Sequence, residues 1–308
     1  MKTQVPFPLI GVDIGGTKIA VSLWERDLNL AGKIQFPTGG MPKAVISLIV
    51  EAVEKLKKER GGGEAAAIGV SCGGPLDSEK GLILSPPNLP GWDAVPVVEL
   101  LREKTGLPCF IENDANACAL AEWHWGAGQG FKDLAFLTFG TGMGCGLILN
   151  GQLYRGTANL AGEVGHIRLA EEGPEGYGKR GSWEGFCSGG GLSRMYAEAA
   201  GCKEPGKYIC EAAERGDAIA RGIIEKSAFY LGRGIALLID IINPQCIIIG
   251  SIFARSEKLF RPIMEQVVER EALEACRKSC LIRPAALGEL LGDRAALGVA
   301  INGLQRGG

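Results

Sequence analysis

The segment Glu112-Asn113-Asp114-Ala115-Asn116 follows the apolar run Leu107-Pro108-Cys109-Phe110-Ile111 and opens an alanine-rich stretch, where a strand would hand over to a helix. A carboxylate fixed at such a junction can accept a proton from a bound hydroxyl, and an adjacent amide can orient that hydroxyl. Asp114 therefore reads as a general base with Asn113 beside it, against the ordinary alternative of an aspartate capping a helix. Two glycine-rich turns could hold phosphate. In Asp13-Ile14-Gly15-Gly16-Thr17-Lys18 the glycines let backbone N–H groups approach an anion. Thr17 adds a hydroxyl there and Lys18 a cation, and Asp13 suits a Mg²⁺ held through water. The alternative is a hairpin that needs glycine for shape alone. Gly140-Thr141-Gly142-Met143-Gly144 repeats the chemistry without the acid. Glu163 and His166 offer a carboxylate and an imidazole to neighbouring hydroxyls, although a lone histidine is more often structural. Together these residues suggest a kinase for a small polyol.

The elements needed to position them can be read from periodicity. Residues 9–13, 19–24 and 29–36 read as strands, and apolar residues at helical spacing from Val45 to Leu56 as a helix ended by Gly61-Gly62-Gly63. Residues 66–71 and 108–111 read as strands, with a helix over 97–104 between them; this order belongs to an α/β domain with a mixed sheet. The opening then recurs: a strand over 134–138, a glycine turn, a strand over 145–149, and Asn150-Gly151 as a hairpin signal. Asp13-Ile14-Gly15-Gly16-Thr17 overlays Thr138-Phe139-Gly140-Thr141-Gly142, which suggests a duplicated fold. A long helix is expected over 220–242, where Gly222, Gly232 and Gly234 suggest close packing against another backbone. A buried strand follows over 246–249, then helices over 259–274 and 295–304 flanking a short strand over 281–283.

The chain of 308 residues, 46% hydrophobic, can bury a large core. A formal net charge of −2 gives no electrostatic footprint for nucleic acid or an anionic membrane. The basic cluster Lys55-Leu56-Lys57-Lys58-Glu59-Arg60 reads as cations complementing a helix C-terminus. None of the ten cysteines forms a CxxC pair and several lie in apolar runs, which suggests free thiols in a reducing compartment and a cytoplasmic protein. Residues 1–8 are too short for a leader peptide, and no stretch reaches the length of a membrane helix. There is no Walker A motif and no G-x-G-x-x-G between a strand and a helix.

As an ordered set, these motifs resemble the ROK proteins (repressors, open reading frames and sugar kinases) of the actin-like ATPase superfamily. The likeness spans residues 10–301. It rests on Asp13 to Lys18, Ser85-Pro86-Pro87-Asn88-Leu89-Pro90-Gly91-Trp92, Glu112 to Asn116, Gly140 to Gly144, Gly162-Glu163-Val164-Gly165-His166 and Ile247-Ile248-Ile249-Gly250. The resemblance implies a duplicated ribonuclease-H-like α/β fold of two lobes around a cleft, residues 1–120 and 121–291, with 292–308 as a helix packing back on the first lobe. It implies ATP and Mg²⁺ as cofactors, a hexose phosphorylated on its 6-hydroxyl, glucose above all, and a homodimer. By position, Asp114 is the base, and Gly74, Asn88, Asn113, Glu163, His166 and Glu184 contact sugar. Asp13, Gly15, Gly16, Thr17, Lys18, Gly140, Thr141 and Gly142 hold the nucleotide. Gly250 and Ser251 form the adenosine-side turn, with Ser251 where a second glycine is usual.

One departure is large. Many ROK proteins hold zinc with the histidine of Gly-x-x-Gly-His and three cysteines. Here the corresponding segment, Glu175-Gly176-Tyr177-Gly178-Lys179-Arg180-Gly181-Ser182, has none, so no zinc is expected. N-acetylmannosamine, allose, mannose or fructose could each replace glucose. A non-catalytic sugar-sensing protein is the alternative from another class; the intact Asp13, Asp114 and glycine turns argue against it. The eight residues ahead of the first strand leave no room for a helix-turn-helix.

Overall fold

The computed structural model describes residues 5–306. Residues 1–4, part of the run read above as too short for a leader, and 307–308, at the end of the expected C-terminal segment, lie outside the described residues. The chain forms two compact units: the described residues up to His124 with those from Leu287 onward, and Trp125–Ala286.

The first unit holds strands β1 (Leu9–Ile14), β2 (Lys18–Trp24), β3 (Leu30–Pro37), β4 (Ala67–Cys72), the two-residue β5 (Leu76–Asp77) and β6 (Leu82–Ile83), and β7 (Cys109–Asn113). The main sheet runs β3-β2-β1-β4-β7, antiparallel among the first three strands and parallel from β1 through β4 to β7. Helix α1 (Pro42–Glu59) starts with proline in its first turn and buries Val45, Ile46, Ile49, Ala52, Val53 and Leu56. Helix α2 (Val97–Thr105) stops at Gly106 in the left-handed conformation, and α3 (Asp114–Trp125) leaves directly from β7.

In the second unit, β8 (Leu134–Phe139), β9 (Met143–Leu149), β10 (Gln152–Tyr154), β11 (Glu175–Gly176), β12 (Lys179–Arg180), β13 (Cys246–Ile249) and β14 (Leu281–Pro284) follow in chain order. The main sheet runs β10-β9-β8-β13-β14 with the same pattern of antiparallel and parallel pairs as the first. The duplication read in the sequence is therefore a duplication of sheet topology. Asn150 and Gly151 join β9 to β10 with φ of 53° and 71°, the two left-handed residues a type I′ turn needs.

Helices α4 (Trp183–Phe186), α5 (Gly189–Ala200), α6 (Gly206–Glu214) and α7 (Ala218–Ile242) lie between β10 and β13. Helix α8 (Ser251–Glu271) begins eight residues before the expected start at 259, because Gly250 caps it directly off β13 and no loop intervenes. It bends at Ser256; α9 (Glu274–Ser279) precedes β14. The three glycines of α7 differ in role. A Cβ on Gly232 would meet the backbone of α8 at Met264 and one on Gly234 the Trp183 ring, but Gly222 faces open space, so backbone packing holds for one of the three.

Helix α10 (Leu291–Arg306) returns to the first sheet with small residues facing it. A Cβ on Gly69 of β4 would overlap the Ala296 carbonyl and the Ala300 N–H; one on Gly11 of β1 would sit 3.1 Å from the Ala296 Cβ. Backbone thus meets backbone there, and a single added methyl has nowhere to go. Gly69→Ala is expected to lower stability by roughly 1–3 kcal/mol in urea denaturation; a loss below about 0.5 kcal/mol would show that the helix can shift.

Candidate active site

In the first unit the parallel strands end together. The register pairs Asp13 with Ser71 and Cys72 with Asn113, so the carboxyl ends of β1, β4 and β7 lie side by side. The N-terminus of α10 reaches the same edge: a Cβ on Gly292 would stand 3.0 Å from Asp13 Oδ2. Asp114 opens α3 with its side chain exposed, while Asp293 in the first turn of α10 is buried. Burial, with the charges of Asp114 and then Asp293, raises Asp13 from 3.8 to about 6; Lys18 and Lys33 offset this in part. Lys33 also bonds Asp293 Oδ2 at 2.6 Å.

The junction is held from both sides. Glu112, buried at the end of β7, accepts from the Asn113 N–H (3.1 Å) and from Asn116 Nδ2 (3.0 Å). Asn113 Oδ1 accepts the Ala115 N–H at 2.9 Å and so caps α3; Asp114 Oδ1 also lies 2.8 Å from that N–H. A Cβ on Gly74 would stand 3.1 Å from Asn113 Nδ2, so glycine there leaves the amide room. Around the first glycine turn, Gly15 N–H bonds the Lys18 carbonyl (3.1 Å), Thr38 Oγ1 donates to the Gly15 carbonyl (2.6 Å) and Thr38 N–H to that of Thr17 (3.1 Å). A Cβ on Gly16 would fall 2.7 Å from that of Asn88, so this glycine admits the Asn88 loop. Asp13, Gly15, Gly16, Thr17, Lys18, Gly74, Asn88, Asn113 and Asp114 thus belong to one unit. Gly140, Thr141, Gly142, Glu163, His166, Glu184, Gly250 and Ser251 belong to the other.

In the second unit the glycine turn is gripped by one short segment. Glu184 Oε2 accepts the Met143 N–H at 3.0 Å, while Gly189 and Gly190, opening α5, donate to the Gly140 (2.7 Å) and Thr141 (3.2 Å) carbonyls. Ser182 and Ser188 cap α4 and α5 through their hydroxyls. Glu163 and His166 bracket a short 3₁₀ turn, Val164–His166. Both meet the β11–β12 hairpin: Tyr177 Oη donates to Glu163 Oε2 (3.0 Å), and Lys179 Nζ lies 3.2 Å from His166 Nδ1. A cavity of about 750 Å³ is lined by Gly140, Thr141, Gly190 and Ser251 and by Arg194 and Arg255. Ser251 adopts φ of 53°, the left-handed region glycine favours, so the backbone keeps a glycine's shape with a serine in place.

Thr38, Glu112, Asp293, Tyr177, Lys179, Gly190 and Arg194 were not among the candidates. Glu112, Tyr177 and Lys179 stand in quoted segments without an assigned role; Thr38, Asp293, Gly190 and Arg194 stand outside them, and only the fold shows their contacts. The Trp92 and Trp183 rings are core, 1% and 0% exposed.

The donor set fits a hydrated divalent cation at Asp13, since three carboxylates act on that edge against two lysines. Among the described residues no group of three His, Cys, Asp or Glu could hold a metal by itself. Zinc does not fit the 175–182 segment: it has no thiolate, and an ammonium stands at His166 Nδ1.

The sequence matches the ROK family model over residues 9–302. It is 34% identical over 259 residues to a glucokinase of Streptomyces coelicolor, covering 78% of this chain and 80% of that one. It is 32% identical over 267 residues to an N-acetylmannosamine kinase of Salmonella arizonae, covering 85% and 89%. A ROK family glucokinase from Streptomyces griseus, solved in complex with glucose and AMPPNP, superposes with a TM-score of 0.79 at 31% identity, over 98% of this chain and 100% of that one.

The raised carboxyl of Asp13 has a consequence for stability. The folded chain holds this proton more tightly than the unfolded one, so the penalty is absent below pH 3.8, grows as pH rises and is complete above about 6. A shift of this size corresponds to on the order of 3 kcal/mol. Asp13→Asn is therefore expected to melt above the wild-type chain at neutral pH and to lose that advantage near pH 4. An equal advantage at both pH values would assign the gain to packing instead.

Proposed function

The chain belongs to the ROK family, and from that premise we propose that it transfers the γ-phosphoryl group of ATP to the 6-hydroxyl of a hexose, glucose first. The fold is that of the ROK sugar kinases, an actin-like ATPase fold. The observation that carries the reading is the division of labour at the β7–α3 junction. Asn113 Oδ1 takes the first helical N–H, while the Asp114 carboxylate beside it is exposed at the strand ends and its charge acts on Asp13. In this mechanism Asp114 takes the proton of the hexose hydroxyl as its oxygen attacks the γ-phosphorus. Asn113, Asn88 and the backbone at Gly74 orient the sugar, together with Glu163, His166 and Glu184. The cavity beside Gly140 and Thr141 suits the nucleotide in size, and Arg194 and Arg255 suit its charge. Asp13, through water, is the residue that would hold Mg²⁺, which neutralises phosphate charge when bound.

The match to an N-acetylmannosamine kinase supports a second reading, in which the hexose carries an acetamido group. A coupled assay over hexoses and N-acetylhexosamines separates the two, and absence of sugar-dependent ATP consumption would favour a non-catalytic sensor. Asp114→Ala is expected to keep glucose binding and lose about 10²–10⁴ in turnover; near-normal turnover would remove Asp114 from the role.

A homodimer is part of the same proposal. Leu237 and Ile241 are exposed one turn apart on α7, at 41% and 75%, and Leu273 joins them through its N–H bond to Asp240 (2.9 Å). Ile241→Asp is expected to run as a monomer in sedimentation where the wild type runs as a dimer; a monomeric wild type ends the proposal. The free thiols support a cytoplasmic setting, and among the described residues no helix is long and apolar enough to cross a membrane.

A further inference from the structure

Glu163 and His166 are both exposed, and neither stands on a long helix or a strand. Side chains so placed keep most of their rotamer freedom, yet sugar recognition needs them in one arrangement. The β11–β12 hairpin supplies the missing constraint. Lys179 Nζ makes two contacts to the same residue, 2.8 Å to the His166 carbonyl and 3.2 Å to its Nδ1. An ammonium only donates, so Nδ1 must accept, and a neutral imidazole then carries its proton on Nε2. The Tyr177 ring stands edge-on to the imidazole, centroids 5.8 Å apart at 89°, and its hydroxyl donates to Glu163 Oε2. Gly165, between the two, has no room for a Cβ, which would overlap the Met143 carbonyl oxygen; the Tyr177 ring lies 3.1 Å from the same position. The hairpin is itself anchored, with Ser182 Oγ donating to the Gly176 carbonyl (2.9 Å) and Gly181 N–H to that of Pro174 (3.1 Å).

We propose that Tyr177 and Lys179 are positioning residues that do with hydrogen bonds what zinc ligation would do in this segment: Lys179 holds His166 as the Nε2–H tautomer, a donor, and Tyr177 holds Glu163 as an acceptor. The pair then presents complementary partners to adjacent hydroxyls. This rests on the reading of Glu163 and His166 as sugar contacts, and its test separates the two ideas.

The first measurement is D-glucose affinity without nucleotide. Lys179→Met is expected to raise Kd roughly tenfold, the scale of one lost orienting bond, and Lys179→Arg, which keeps a cationic donor, to recover most of it. In a His166→Gln background the same change is expected to add little, because Lys179 acts through His166. An undiminished loss in that background would mark a merely structural lysine and overturn the proposal, as would an unchanged Kd in Lys179→Met. Stoichiometric zinc in the purified wild-type chain, with glucose released by a chelator, would overturn it too.

The second measurement needs no sugar. The chain has two histidines, so His124→Gln assigns the imidazole ¹⁵N spectrum. At about pH 8.5, where an ordinary imidazole is neutral, His166 is expected as the Nε2–H form, with some Nδ1–H form appearing in Lys179→Met. An Nδ1–H signal in the wild-type chain would overturn the proposal whatever the sugar data. If the wild type binds no sugar while the spectrum is as expected, the substrate reading fails and the positioning contact stands.

Discussion

Three carboxylates acting on one edge of a sheet are the constraint around which the first unit is arranged. Asp13 ends β1, Asp114 opens the helix after β7, and Asp293 lies in the first turn of α10. Burial and these two neighbours hold the Asp13 carboxyl near pH 6. Lys33 bonds Asp293 and Lys18 contributes from the glycine turn, but two cations do not neutralise three acids in a half-buried place. Such an edge is unfavourable in the protein alone and favourable once something positive arrives. The sheet makes the crowding possible, because only parallel strands bring the ends of β1, β4 and β7 to one side. Gly11 and Gly69 let α10 lie close enough for its first turn to join them. Stability is given up at this edge, beside the tight packing of α10 on the sheet.

The second unit reuses the topology with opposite electrostatics. Where the first turn has Asp13, the overlaid strand has Thr138, whose hydroxyl accepts the Gly144 N–H at 2.7 Å. The neighbouring cavity carries Arg194, Arg255, Lys203 and Lys207 against Glu204. One short segment, Glu184-Gly185-Phe186-Cys187-Ser188-Gly189, grips the turn from both flanks. Glu184 takes the amide after the turn, Ser188 caps α5, and the freed amides of Gly189 and Gly190 take the carbonyls of the turn itself. Four residues is the distance from a side chain on one flank of the turn to a helix start on the other. A Cβ at Gly142 would stand 2.7 Å from Glu184 Oε2, so the carboxylate would have to shift from its place on the Met143 N–H.

What the sequence made legible follows from this. Strands β1, β2, β8 and β9 and the turns between them were readable because apolar runs and paired glycines are local signals. The Asn150-Gly151 hairpin was readable because two consecutive left-handed residues admit few amino acids. The start of α8 was hidden because Gly250 and Ser251 look like a turn, whereas with Ser251 in the left-handed region the helix starts directly after β13 and Gly250. Thr38 was hidden because it is a plain threonine at the end of a strand, made important by the register that carries β3 past the glycine turn. Lys179 and Tyr177 carry no local signal, since their partners His166 and Glu163 are reached only by the folding back of the β11–β12 hairpin.

That segment shows why hydrogen bonds need more architecture than a metal does. A thiolate-bound zinc fixes four ligands at once and can organise a loop with little other structure. A single exposed hydrogen bond contributes on the order of 1 kcal/mol or less and cannot hold a long side chain by itself. The hairpin compensates by stiffening its own backbone: Tyr177 and Gly178 take φ of 55° and 63°, two left-handed residues in a two-residue turn. The base is tied by Leu169 and Ala170 N–H groups to the Gly181 carbonyl and by Trp183 N–H to that of Ile167. Once the backbone is fixed, Lys179 and Tyr177 start from set positions beside His166 and Glu163. The contacts to His166 and Glu163 then cost little further entropy. Rigidity is moved from the ion into the turn.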